Sequence, residues 1–179
     1  WPHWRGPLAN GVAPAADPPT SWDAETNVKW KIALPGEGHA TPIIWGNRIF
    51  LLNAVRTERA APPPETVDPD SKTTLPGVYF QYIVQCLDRE TGETIWSDIA
   101  IEAPPVSGRH DTNSYASGSP TTDGGRLYAS FGSHGIYCYD LDGNRLWDRD
   151  LGDMRTRFGW GEASTPVVHE NSVVVNWDH

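Results

Sequence analysis

Residues 86–96 read Cys86-Leu87-Asp88-Arg89-Glu90-Thr91-Gly92-Glu93-Thr94-Ile95-Trp96, and residues 138–147 read Cys138-Tyr139-Asp140-Leu141-Asp142-Gly143-Asn144-Arg145-Leu146-Trp147. The second stretch is the first, one residue shorter. Each predicts an apolar strand, a turn led by Asp and closed by Gly, and a strand ending in Trp. A unit repeated at this scale cannot bury its own faces and must stack on its copies.

The repeat extends upstream of the turn. Ala40-Thr41-Pro42, Gly118-Ser119-Pro120 and Ser164-Thr165-Pro166 each place a hydroxyl and then Pro before a strand, a short polar turn and a second apolar run. One unit is therefore four short antiparallel strands, joined by Gly, Asn and Asp turns that supply the positive φ angles of hairpins. Pro120 and Pro166 lie 46 residues apart, close to the ~40–50 residues of a propeller blade. Pro42 and Pro120 lie 78 apart, a blade plus an insertion.

The pattern Asp-x-x-Thr-Gly-x-x-apolar-Trp resembles the repeat of pyrroloquinoline-quinone (PQQ)-type β-propellers, and is similar to that of the non-enzymatic propellers of the outer-membrane assembly lipoprotein class. The opening Trp1-Pro2-His3-Trp4-Arg5-Gly6-Pro7, with Trp22 and Val28-Lys29-Trp30-Lys31, is similar to the start of exported PQQ-like propellers of bacteria. The resemblance implies an all-β fold, a propeller of four-stranded antiparallel blades, and a periplasmic or secreted location. It leaves function open, since the fold hosts enzymes, scaffolds and binders alike.

On this reading residues 1–27 are an extended arm and residues 28–179 a partial propeller, with units at about 40–97, 116–148 and 163–179. The alternation Val28, Trp30, Ile32, Leu34 predicts a strand over 28–34, the outermost strand of a preceding blade. Residues 55–77, rich in Pro, read as an exposed insertion because Pro lacks the donor that a sheet interior requires. Two full units, a leading strand and half of another do not close a ring, so the chain is expected to be the N-terminal part of a larger propeller, its remaining blades supplied by the same chain or another copy. Trp30, Trp96 and Trp147, each ending a unit, are expected to fill the wedge between adjacent sheets, and Trp→Ala at 96 or 147 to cost about 3–5 kcal/mol. Asp88, Gly92, Asp140, Gly143, Pro42, Pro120 and Pro166 are repeat-forming residues.

The formal net charge is −9, from 14 Lys and Arg against 23 Asp and Glu. No basic run is present, which argues against nucleic acid as a partner. No apolar stretch of ~18 residues is present to span a membrane, and no leader pattern precedes Trp1; the family resemblance implies a mature exported segment. Cys86 and Cys138 occupy the same slot in neighbouring units, beyond the ~7 Å Cα reach of a disulfide, and read as small core residues. The vicinal Cys pair of PQQ-dependent alcohol dehydrogenases is absent.

Segments entering the innermost strands of a propeller line one mouth of its channel. Here those are 36–39, 110–115 and 155–162, and they carry the candidate ligand-binding residues His39, His110, Asn113, Tyr115, Arg157, Trp160 and Glu162. Each has a structural alternative. His39 serves a strand-end hydrogen bond or a ligand; His110 and Asp111 suit a turn; Asn113 and Tyr115 suit buried backbone; Arg157 and Glu162 suit an ion pair. Trp160, between glycines, suits a stacking platform for a sugar, a quinone or another flat ligand. His134, in Gly132-Ser133-His134-Gly135, reads as a turn residue.

No Zn-type ligand spacing, Ser-His-Asp set, phosphate loop or paired carboxylates stand out, so no catalytic or metal residue is assigned and no cofactor is evident. The favoured reading is a non-catalytic exported propeller acting as a binding or scaffolding module for a protein or carbohydrate partner. The alternative is part of a quinoprotein oxidoreductase using PQQ and Ca²⁺, whose oxygen ligands Glu162 and Asn113 would suit.

Overall fold

The computed structural model describes residues 1–65 and 68–177. Among them ten strands form two four-stranded antiparallel sheets and a two-stranded hairpin. The first sheet holds β1 (Ile43–Trp45), β2 (Arg48–Ala60), β3 (Val78–Asp88) and β4 (Thr94–Ala103) in that order. The second holds β5 (Thr121–Thr122), β6 (Arg126–Ser130), β7 (Ile136–Asp140) and β8 (Arg145–Arg149), again in chain order. β9 (Val167–His169) and β10 (Ser172–Val174) open a third unit. These are up-and-down sheets of the kind that make propeller blades, and the described residues form no closed ring.

The Asp-led turns work as their composition predicts. Asp88 Oδ1 accepts the amides of Glu90 (2.7 Å) and Thr91 (3.0 Å), and Asp140 Oδ1 accepts those of Asp142 and Asn144 (2.9 Å each). Gly92 (φ +77°) and Gly143 (φ +93°) take the left-handed backbone that closes each turn. Both glycines are also docking points. A Cβ on Gly92 would lie 2.7 Å from the Trp30 ring, and one on Gly143 2.6 Å from the Trp96 ring. The indole of one unit thus lies flat on the bare turn of the next, and each Nε1 donates to that turn's backbone: Trp30 to the Arg89 carbonyl (2.9 Å), Trp96 to the Leu141 carbonyl (3.0 Å).

Between the two sheets the core is continuous. Phe50, Leu52, Ala54, Tyr82, Val84 and Cys86 of the first face Leu127, Ala129, Phe131, Tyr137 and Tyr139 of the second. Trp96 stacks on Tyr139 with 5.9 Å between ring centroids. The Tyr139 hydroxyl donates to Asp98 (2.8 Å), which also receives Arg145 (2.7 Å). Both cysteines are buried and free, and burial pushes their thiols up to about 11. A thiol reagent at neutral pH is therefore expected to leave the folded chain unlabelled and to modify both cysteines once denaturant is added; labelling at the native rate of a free thiol would contradict the packing.

The hydroxyl-Pro anchors form a relay. The Thr41 amide donates to Ser119 Oγ (2.9 Å), and the Ser119 amide donates to Thr165 Oγ1 (3.0 Å). Pro120 and Pro166 are fully buried beside it, whereas Pro42 is exposed.

Three expectations are corrected. Residues 28–34 are not a strand; the backbone finds no ladder partner there, and the segment is held by Trp30 on its turn and by the Lys29–Glu90 ion pair. The insertion starts later than residue 55, because β2 and β3 stay paired through Arg56 opposite Phe80 and on to Ala60 opposite Val78. Arg59 in this extension lies over the Tyr79 ring at 3.8 Å and pairs with Glu102. The described part of the loop at 61–77 is not simply exposed either. The Lys72 amide donates to the Phe158 carbonyl (2.9 Å), Thr73 Oγ1 to the Gly159 carbonyl (2.5 Å), and Arg155 grips Asp68 with two bonds of 2.9 Å.

Candidate functional site

Antiparallel order sorts the connections by end. The short turns 46–47, 89–93, 123–125 and 141–144 all lie at one end of the sheets, and the connections 61–77, 104–120, 131–135 and 150–166 all lie at the other. The second end carries the candidate residues. Loops on a rigid scaffold are where binding groups concentrate.

Three of those residues meet. The Trp160 carbonyl accepts the His110 amide (3.1 Å) and Asn113 Nδ2 (2.9 Å). Asn113 Oδ1 in turn accepts the Ser114 amide (2.9 Å) and the Ser117 hydroxyl (2.5 Å). The backbone of the Trp160 loop is thereby pinned to the 110–117 connection while its indole stays 49% exposed. The His110 ring stands edge-on to it at 6.1 Å, and Phe158 tilts against it at 5.2 Å. Phe158 holds φ at +61°, a region costly for a side-chain-bearing residue. His110 Nδ1 is 2.9 Å from Thr112 Oγ1, the turn role expected of it, and Asp111 is exposed.

The other candidates lie around this cluster without hydrogen-bonding to its side chains. Tyr115 is half-buried, edge-on to Phe80 at 4.8 Å and under Arg109 at 5.4 Å, and burial raises its hydroxyl pKa. Arg109 also pairs with Glu37 at 2.7 Å. The His39 side chain is exposed; its backbone amide donates to Ser114 Oγ (3.0 Å) and to the Ala116 carbonyl (3.1 Å). Arg157 lies over the Phe158 ring at 4.7 Å and does not pair with Glu162. Glu162 is taken instead by the β6–β7 turn, where its carboxylate accepts both the Ser133 amide (2.6 Å) and the Ser133 hydroxyl. The carboxylate fits because residue 132 is Gly, whose added Cβ would overlap it.

His134 is more than a turn residue. It is largely buried, its ring lies 4.5 Å from the Tyr82 ring, and burial lowers its pKa. Nothing local in the sequence announces this contact, because Tyr82 belongs to the other sheet.

Burial also raises the Glu162 pKa, partly offset by the two bonds from Ser133. Relative to the unfolded chain, folding disfavours the ionised form, so this group's contribution to stability is complete below the ordinary carboxyl range and is lost as pH rises through the elevated folded value. Glu162→Gln is expected to remove that dependence. Its Tm relative to the parent should be more favourable at pH 7 than at pH 4, and a parent–variant difference constant with pH would refute the assignment.

The oxygen cage of a hard cation, 6–8 ligands, is not assembled from these residues. Asn113 Oδ1 accepts two protein donors, and each Glu162 oxygen already accepts one from Ser133. Among the described residues no three His, Cys, Asp or Glu side chains converge.

Comparison with known proteins adds the family. A family model described as outer membrane protein assembly factor BamB matches residues 80–178, more than half of the chain. No curated protein matches the chain. The matched span takes in the Asp-Gly turn of each sheet, the Trp96 and Trp147 that follow them and the second and third hydroxyl-Pro anchors, and by these the chain belongs to the BamB-type PQQ-like repeat family.

Proposed function

We propose that this chain is part of an exported, non-catalytic propeller that binds a protein partner on the end carrying Trp160. The single observation that carries this is the Trp160 loop: a half-exposed indole on a backbone held by His110 and Asn113. Rigid, partly exposed Trp is the residue type most enriched at binding hot spots. Support for a polypeptide over a carbohydrate comes from the family description, an outer membrane protein assembly factor. The periplasm is the compartment this reading requires.

The test measures fluorescence anisotropy of labelled synthetic β-strand peptides, with alternating polar and apolar residues, titrated with the chain. Saturable binding weakened at least about tenfold, or 1.4 kcal/mol, in Trp160→Ala with an unchanged Tm is expected. Retardation of the parent but not of Trp160→Ala in a gel containing soluble glucan would move the reading to carbohydrate. No response in either assay would end it. In a parallel titration with PQQ and Ca²⁺, Trp fluorescence is expected to show no saturable quenching. Quenching lost in Glu162→Ala would instead sustain the oxidoreductase alternative.

A further inference from the structure

At one equivalent slot the first sheet buries a leucine and the second buries a serine. Pairing opposite the cysteines aligns Phe50 with Tyr128, so Leu52 corresponds to Ser130 and Ala54 to Gly132. Leu52 is a buried core residue. Ser130 is 2% exposed, and its Oγ has no hydrogen-bond partner among the described residues. His134 Nε2 is likewise buried and unpartnered. Leaving such groups unmade costs about 1–3 kcal/mol each, and both line one cleft, together with Glu162, Tyr82 and Phe131.

The cleft has room of ≈ 30 Å³, enough for an occupant about the size of one or two waters. Its polar lining is rich in acceptors. A carboxylate only accepts, and the His134 imidazole, kept toward its neutral form by burial, can present a lone pair at Nε2. Ser130 Oγ can also accept. Among the described residues no Lys or Arg pairs with Glu162. Water would satisfy the hydrogen bonds and leave the carboxylate without a counter-charge. Tyr82 and Phe131 supply aromatic rings beside the cleft, which favour a cation.

We propose that the cleft is a binding site for a protonated primary amine, its three N–H donors shared among Ser130 Oγ, His134 Nε2 and the Glu162 carboxylate. The amine is either the free ammonium ion or the end of an alkylamine whose methylenes run along Val106 and Tyr115, which also line the cleft.

The experiment is a thermal-shift and calorimetric titration of the intact chain with ammonium, n-butylammonium, sodium and tetramethylammonium chlorides at matched ionic strength. Ammonium or butylammonium is expected to raise Tm and to bind saturably, while sodium and tetramethylammonium do neither. Butylammonium binding more tightly identifies an alkylamine end; ammonium binding more tightly identifies the free ion. Ser130→Leu, which restores the first sheet's residue, and Glu162→Gln are each expected to weaken binding at least tenfold. Ser130→Ala serves where leucine prevents folding. An equal response to all four salts, no response, or binding unchanged in the folded variants would overturn the proposal and leave ordinary water as the occupant.

Discussion

Replacing Trp96 by Ala is expected to cost about 3 kcal/mol, the low end for truncating a packed aromatic. The ring contacts Phe50, Tyr139 and the face of Gly143, and its Nε1 holds the Leu141 carbonyl. Removing it opens the wedge between two sheets and leaves that carbonyl without its indole donor. One flank of the ring remains partly exposed, which keeps the cost below that of a fully enclosed Trp. Trp147→Ala should cost about half as much, because Tyr128 at 6.1 Å is the aromatic partner found for it among the described residues. Urea unfolding of both variants measures the difference. Equal losses would mean that the second indole has an equivalent dock.

Gly143→Ala is expected to be comparably severe, although it adds one methyl group to a surface turn. Its φ of +93° alone costs an L-residue about 1–2 kcal/mol. The new Cβ would also meet the Trp96 ring at 2.6 Å, and that ring cannot swing aside because Tyr139 stacks on it. Overpacking of this kind adds about 1–3 kcal/mol. The two substitutions act on one contact, so Trp96→Ala with Gly143→Ala should destabilise by clearly less than the sum, with a coupling of at least about 0.5 kcal/mol. Strict additivity would show that the turn and the indole do not bear on each other.

Much of this architecture is legible in the chain, because its decisive chemistry is local. Asp88 and Asp140 cap turns within a few residues of themselves, and Gly92 and Gly143 are the residues those turns require. What misleads is pattern without a partner. Val28, Trp30, Ile32 and Leu34 alternate like a strand, but a strand is defined by the ladder beside it, and none is there. The reverse holds at Arg56–Ala60, where charged residues look like loop and the opposite strand carries them as sheet.

The candidate site divides in the same way. His110, Asn113 and Trp160 are polar or aromatic residues before strand entries, and position along the repeat is enough to mark them. From the sequence alone, Glu162 suits either a ligand or an ion pair with Arg157. Its true partner, Ser133, lies 29 residues away and meets it because a glycine there leaves a gap of carboxylate size. A vacancy left by an absent side chain in another element carries no signal in the residue that fills it.

The chain of bonds from Thr41 through Ser119 to Thr165 points one way: each amide gives to the hydroxyl that follows. Such a thread has a head and a tail. Two copies related by a twofold axis through like ends would set donor against donor or acceptor against acceptor. Any neighbour using this seam must therefore join in sequence orientation, so the seam fixes the direction in which copies can be added.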